Sequence, residues 1–96
     1  MAALEPHDID KTFAAPIKDN MGPNSWTCAI LPDSAEYFGT ARAVKVSGTI
    51  DGHAFTGNVL PEGGGKHMLP LNAAMRKLVN KPAGAEVTVH LTRRLG

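Results

Sequence analysis

The dipeptide Asp51-Gly52 constrains this chain more than any other feature, because it separates two runs in which apolar residues alternate with small or polar ones. A two-residue turn between antiparallel strands needs positive φ at both central positions, and Asp-Gly accepts that conformation at little cost. Closing the turn there sets Ile50 opposite His53, Gly48 opposite Phe55, Val46 opposite Gly57 and Val44 opposite Val59. Strand alternation puts all eight on one face of the sheet. That face is largely apolar. The other, with Lys45, Ser47, Thr49, Ala54, Thr56 and Asn58, suits contact with water. Phe55 is expected to cover the backbone left bare by Gly48.

Around this hairpin the remaining elements fall into order. Residues 1–10 lack periodicity and read as a loose tail ahead of a single domain over residues 11–94. A first strand is expected at 12–17, with Pro16 at an edge or near its end, and a loop at 18–24. Residues 25–31 carry apolar side chains on both faces, which predicts a central strand. Pro32 ends it; Asp33 or Ser34 then caps a short helix that Gly39 stops. After the hairpin, residues 61–66 read as a flexible glycine loop, and Met68 and Leu69 lead into Pro70. Asn72 caps a helix over 73–79 with Ala74, Met75, Leu78 and Val79 inward. A last strand over 85–92 turns Val87, Val89 and Leu91 inward. Leu31-Pro32, helix, strand is thus echoed by Leu69-Pro70, helix, strand. Two such units can close as a pseudo-two-fold barrel with a short helix at each end.

Length and composition agree with this scheme. Ninety-six residues make one domain. Ten Gly and seven Pro imply many turns and a β-rich fold. Cys28 is the single cysteine, which excludes an internal disulfide and a cysteine-based metal site and leaves a small core residue. Without a leader-like segment or a long apolar run, a soluble cytoplasmic protein is expected, with no membrane partner. The net charge of +1 gives no general argument for nucleic acid. It is unevenly spread: residues 1–65 hold four basic and eight acidic groups, residues 66–96 six basic groups and only Glu86. The plain reading is decoration of a helix and a tail.

The set of motifs is more specific than its parts. Trp26 ahead of Leu31-Pro32, Phe38-Gly39 with Arg42, VSGTIDG over 46–52, Phe55, Leu60-Pro61, a loop ending at His67, Leu69-Pro70 with Arg76, and Gly84 before the last strand resemble a family of small bacterial domains known only as domain of unknown function 1905. The resemblance spans about residues 12–91. It implies a mostly β, double-split β-barrel with two short helices, both strand-Pro-helix-strand halves lying in one chain. Half-size dimeric transcription factors of the transition-state-regulator kind share that architecture. It implies no agreed activity. The chain departs from the family pattern after Gly84, where Ala85 precedes the acidic Glu86, so that turn is expected to be bonded in its own way.

No catalytic or metal constellation emerges from the spacing. In the run ending Gly63-Gly64-Gly65-Lys66, Leu60 and His67 occupy the positions where a phosphate loop needs glycine and Ser or Thr. The four histidines lack ligand spacing, and no serine sits in a nucleophile elbow. No cofactor is expected. The leading reading is a noncatalytic module binding a small anionic molecule or a protein; the candidate ligand residues are Lys66, His67, Asn72 and Arg42, brought together by the glycine loop and the helix start. The runner-up is a nucleic-acid-binding, regulator-like barrel, suggested by Arg76, Lys77, Lys81, Arg93 and Arg94. It ranks second because one chain holding both halves loses the two-fold half-site spacing. An enzyme comes third. Closure within one chain predicts a monomer or weak dimer.

Overall fold

The computed structural model describes residues 6–21 and 26–96. The elements follow as β1 (His7–Met21), β2 (Trp26–Leu31), α1 (Ser34–Phe38), β3 (Val44–Ile50), β4 (His53–Gly63), β5 (Lys66–Pro70), α2 (Ala73–Val79) and β6 (Glu86–Arg94). The strands close into an antiparallel barrel in the order β1-β2-β5-β4-β3-β6. Exchanging β1 with β4, β2 with β5 and β3 with β6 returns the same set of neighbours, so the closed order carries the two-fold symmetry of the repeated strand-Pro-helix-strand pattern.

The hairpin has the register that its turn dictates. Ile50 faces His53, Gly48 faces Phe55, Val46 faces Gly57 and Val44 faces Val59, with Asp51 at φ 48 and Gly52 at φ 86. Val44, Val46, Ile50 and Val59 enter the core, and Phe55 packs against it. Gly48 has a stronger reason to be glycine than cover by Phe55. A Cβ there would lie 2.0 Å from the His90 carbonyl oxygen, at the step where the β3–β6 register shifts between Ser47 and Gly48.

Several expectations need correction. Residues 7–10 are not a loose tail: β1 begins at His7, which pairs with Arg94, and Asp8 pairs with Arg93. Nor does β1 stop at Ile17. It continues to Met21 through an irregularity after Lys18, where Asn20 adopts φ 57. What is left of the expected loop, residues 22–24, and residue 25, expected to open the next strand, lie outside the described residues. Up to Pro16, the last residue paired with β6, β1 has a neighbouring strand on one side, which is the edge position expected of Pro16, and Ile17 is the first residue paired with β2. A residue that cannot donate a ladder bond thus stands where the strand changes partners. The glycine stretch is a second tight hairpin: β4 runs to Gly63, which pairs with Lys66, and Gly64 and Gly65 turn at φ 62 and 80.

The helices plug opposite ends. Asn72 caps α2 as expected, its Oδ1 accepting from the Met75 amide at 2.8 Å, and Asn80 closes it in a left-handed conformation. Only Met75 and Val79 of α2 are buried; Ala74 is exposed and Leu78 is 54% exposed. The helix touches the barrel through a narrow i, i+4 stripe that begins at Leu71. At α1 neither expected cap operates. Asp33 makes no capping bond, and the Ala35 amide donates to the Gly65 carbonyl at 3.1 Å. Gly39 ends α1 at φ 71 as expected. β2 is central, with Cys28, Ala29, Ile30 and Leu31 all buried. Burial pushes the Cys28 thiol pKa up. After Gly84 the turn is closed by the Ala85 amide donating to Pro82, while Gly84 donates to Ile17 and Ile17 to Ala85.

Charge that is uneven along the sequence is locally matched in space. Arg93 approaches Asp8 at 4.0 Å, and His90 approaches Asp10 at 2.6 Å. Lys81 reaches Asp51 at 2.7 Å. The Asp51 carboxylate also accepts from the Thr88 amide at 2.8 Å, tying the hairpin tip to β6. Partial burial acts to raise the Asp51 pKa, but the Lys81 hydrogen bond, the Thr88 amide and the charges of Lys81 and His53 together outweigh it and hold the carboxyl below its usual range.

Two outcomes are expected in denaturant titrations. Gly48→Ala loses on the order of 3 kcal/mol or more, since backbone must move to admit the methyl, whereas Gly57→Ala, whose Cβ would meet nothing within 4 Å, is neutral or stabilising; equal effects would overturn the steric account. Asp51→Asn loses about 1 kcal/mol at neutral pH. Because the folded-state pKa is depressed, the Asp51 contribution is complete above the unfolded value of about 3.9 and disappears as pH falls through the lower folded value. The variant should therefore converge on wild type in acid.

Candidate functional site

Of Lys66, His67, Asn72 and Arg42, the structure brings His67 together with the backbone of Arg42. His67 is fully buried, and both its ring nitrogens are engaged. Nδ1 lies 2.8 Å from the Ser34 hydroxyl and Nε2 lies 2.8 Å from the Arg42 carbonyl. The Arg42 carbonyl can only accept, so Nε2 donates to it, while the one Ser34 hydroxyl proton is shared between the Leu31 carbonyl and Nδ1. The Ser34 oxygen also accepts from the His67 amide at 2.7 Å and lies 3.0 Å from the Leu31 carbonyl, and Phe38 meets the imidazole edge-on at 5.3 Å. Arg42 therefore meets His67 through its backbone, with its own residue surface exposed. Lys66 is exposed at the first position of β5, and Asn72 is spent on capping α2. The extended strand between them holds Lys66 and Asn72 roughly 20 Å apart along the chain.

Ser34 next to His67 has the composition of a nucleophile and its base, but not the setting. Both are fully buried, so no substrate atom reaches the hydroxyl. The network instead ties α1 to β5 and to the segment before β3. No spacing rule announces it, since its members are 33 residues apart and Ser34 reads from sequence as a helix cap. Among the described residues no three His, Cys, Asp or Glu side chains gather as metal ligands.

A cavity of about 320 Å³ lies elsewhere, between β4 and the start of α2. Its origin is a mismatch in strand length. β4 has 11 residues and β5 has 5, and the two pair only from Leu60, which faces Met68, to Gly63. One rung further, Asn58 would meet Pro70, which has no amide to donate, and the chain then leaves the sheet for α2. The opening is walled by Ile50, Phe55, Leu60, Leu69 and Met75. Thr56, Asn58 and Asn72 supply its polar groups, and Gly57 and Pro70 complete the lining. None of these residues is ionisable in the pH range of life. At the opposite end α1 is packed differently: Tyr37 meets Phe13 and Phe38 edge-on at 6.0 and 5.3 Å. Lys11 stands 5.4 Å from the Phe13 and Tyr37 rings. Arg94 lies 5.5 Å from the Phe38 ring and donates to the Phe38 carbonyl at 3.0 Å. Sequence reasoning missed Thr56, Asn58 and Met75 as site residues; the available signal was an alternating run much longer than the stretch before Pro70.

Fold and site together define a small antiparallel barrel, plugged by two short helices, with a neutral cavity at one end. The chain belongs to the family described as domain of unknown function DUF1905, whose model matches residues 13–91. No curated protein matches it. Among the described residues no helix is long and apolar enough to cross a membrane.

Removing the Ser34 hydroxyl strands the His67 amide and ring nitrogen in the interior. Ser34→Ala should cost about 1–3 kcal/mol, read as a lower urea midpoint with an unchanged slope. A variant as stable as wild type would show that the network contributes nothing to the fold.

Proposed function

We propose that this protein is a noncatalytic binding module that holds a neutral, largely apolar ligand in the cavity between β4 and α2. The observation that carries the reading is the lining itself: about 320 Å³ of space bordered by apolar side chains, with amide groups and the Thr56 hydroxyl and no acid or base to activate it. Chemistry at such a site would lack a group to move a proton or activate a nucleophile. An anionic ligand held by Lys66, His67, Asn72 and Arg42 has no common point of attachment, since His67 is enclosed and β5 keeps the outer two apart. A nucleic-acid surface is disfavoured too, because Arg93 and Lys81 face acidic partners on β1 and the hairpin tip.

A thermal-shift series separates these readings. Indole and cyclohexanol are expected to raise the melting temperature of the wild type and not of Gly57→Leu, which fills the cavity. A ligand at a hundred times its Kd adds about 2.7 kcal/mol. Stabilisation by phosphate or small carboxylates that Lys66→Ala abolishes would instead favour the anion site, and stabilisation by oligonucleotides the regulator-like reading.

A further inference from the structure

We propose that the physiological occupant of the cavity is an extended peptide that adds itself as a strand to the free edge of β4 and inserts one uncharged, apolar side chain beneath. This inference rests on the binding-module reading and names its ligand.

The argument starts from the Asp51-Gly52 turn. A two-residue turn makes the flanking residues, Ile50 and His53, a hydrogen-bonded pair, and the alternation then makes bonded pairs of Gly48 with Phe55 and Val46 with Gly57. The backbone N–H and C=O groups of Ala54, Thr56 and Asn58 therefore point away from β3, toward the other edge. Leu60, next in that series, is met by Met68. Asn58 has only the position of Pro70 to look to, and Thr56 and Ala54 lie past the point where the chain departs into α2. Among the described residues, these backbone groups have no hydrogen-bond partner in the protein.

An edge that alternates donors and acceptors over five residues is matched by the backbone of another extended chain, about 4.8 Å away. Natural barrels close or cover such edges; at β1, the counterpart of β4, Tyr37 of α1 packs on Phe13. At β4 the edge borders the cavity. The lining carries no formal charge, so a charged side chain has no counterion there and an apolar one does not need it. Gly57 leaves room, since a Cβ on it meets no heavy atom within 4 Å. Met75 forms the opposite wall with a side chain that adapts to irregular shapes. Strand addition supplies affinity through the backbone, and the cavity supplies the choice of residue.

The test uses the whole protein and a displayed library of random heptapeptides, selected on wild type and on Gly57→Val. The expected result is enrichment, on wild type alone, of sequences with a large apolar residue at one fixed position, binding about tenfold or more weakly to the variant. The amide signals of Ala54, Thr56 and Asn58 should shift with the enriched peptide. N-methylation at alternate peptide residues should abolish binding, while methylation at the intervening ones leaves it unchanged. If the library yields nothing while indole or cyclohexanol shifts the Met75 methyl signal, the peptide proposal falls and the binding-module reading stands. If neither binds, both fall. If Ala54, Thr56 and Asn58 amides are protected only in a concentration-dependent dimer, the edge serves self-association and the peptide proposal is overturned.

Discussion

The seam between the two halves of the chain depends on one approach: β6 passes so close to β3 at Gly48 that a single carbon added there would overlap the His90 carbonyl. The seam is also where the register slips by a residue. Both facts have the same cause. A small barrel of six strands must curve sharply, and an irregularity in the ladder together with a residue lacking a side chain supplies the bend. Val46 and Ile50 on β3, with Val89 and Leu91 on β6, then reach a shared interior. The Asp51 carboxylate, held by Lys81 and the Thr88 amide, fastens the same pair of strands at the hairpin end.

The two helical plugs solve the same geometrical problem with different side chains. Each follows a Leu-Pro, and each sits where a strand has left the sheet. α1 closes its end with Tyr37 and Phe38, and a buried Ser34–His67 network fixes its start. α2 has a regular capping residue and two buried side chains, Met75 and Val79. The aromatic plug is built on ring-to-ring contacts; the aliphatic one borders the cavity. Symmetry of the backbone is thus broken by composition, and the asymmetry is where the functional reading lies.

How much of this the sequence disclosed depends on how local the determinant was. The hairpin register, the Asn72 cap, the Gly39 stop and the central β2 follow from neighbours in sequence, and all were legible. The strand β5 was not, because its five residues follow three glycines and end in a proline, so that only its pairing with β2 and β4 reveals it as sheet. The start of β1 was hidden for a related reason: His7 and Asp8 look like a tail until Arg94 and Arg93, at the other end of the chain, are set beside them. The grouping of Lys66, His67, Asn72 and Arg42 took no account of β5, which follows the turn as an extended strand with His67 enclosed. Ser34 as partner of His67, and the cavity made by β5 ending early, are properties of pairs of elements, and no single segment contains them.

The pairing of β1 with β6 has a kinetic meaning. Residues 7 and 94 are partners, so the contact that completes the closed order joins positions separated by nearly the whole length of the chain, and its loop entropy is the largest the fold must pay. The β3–β4 and β4–β5 hairpins, each joined by two residues, form locally and early by comparison. Until β6 arrives, β1 and β3 both present open edges, and β1 carries at Asp8 the charge opposite to Arg93 of the strand that will cover it. Attraction between the acidic early strand and the basic late one therefore acts while the chain is still open, favouring the intramolecular closure over pairing with another molecule.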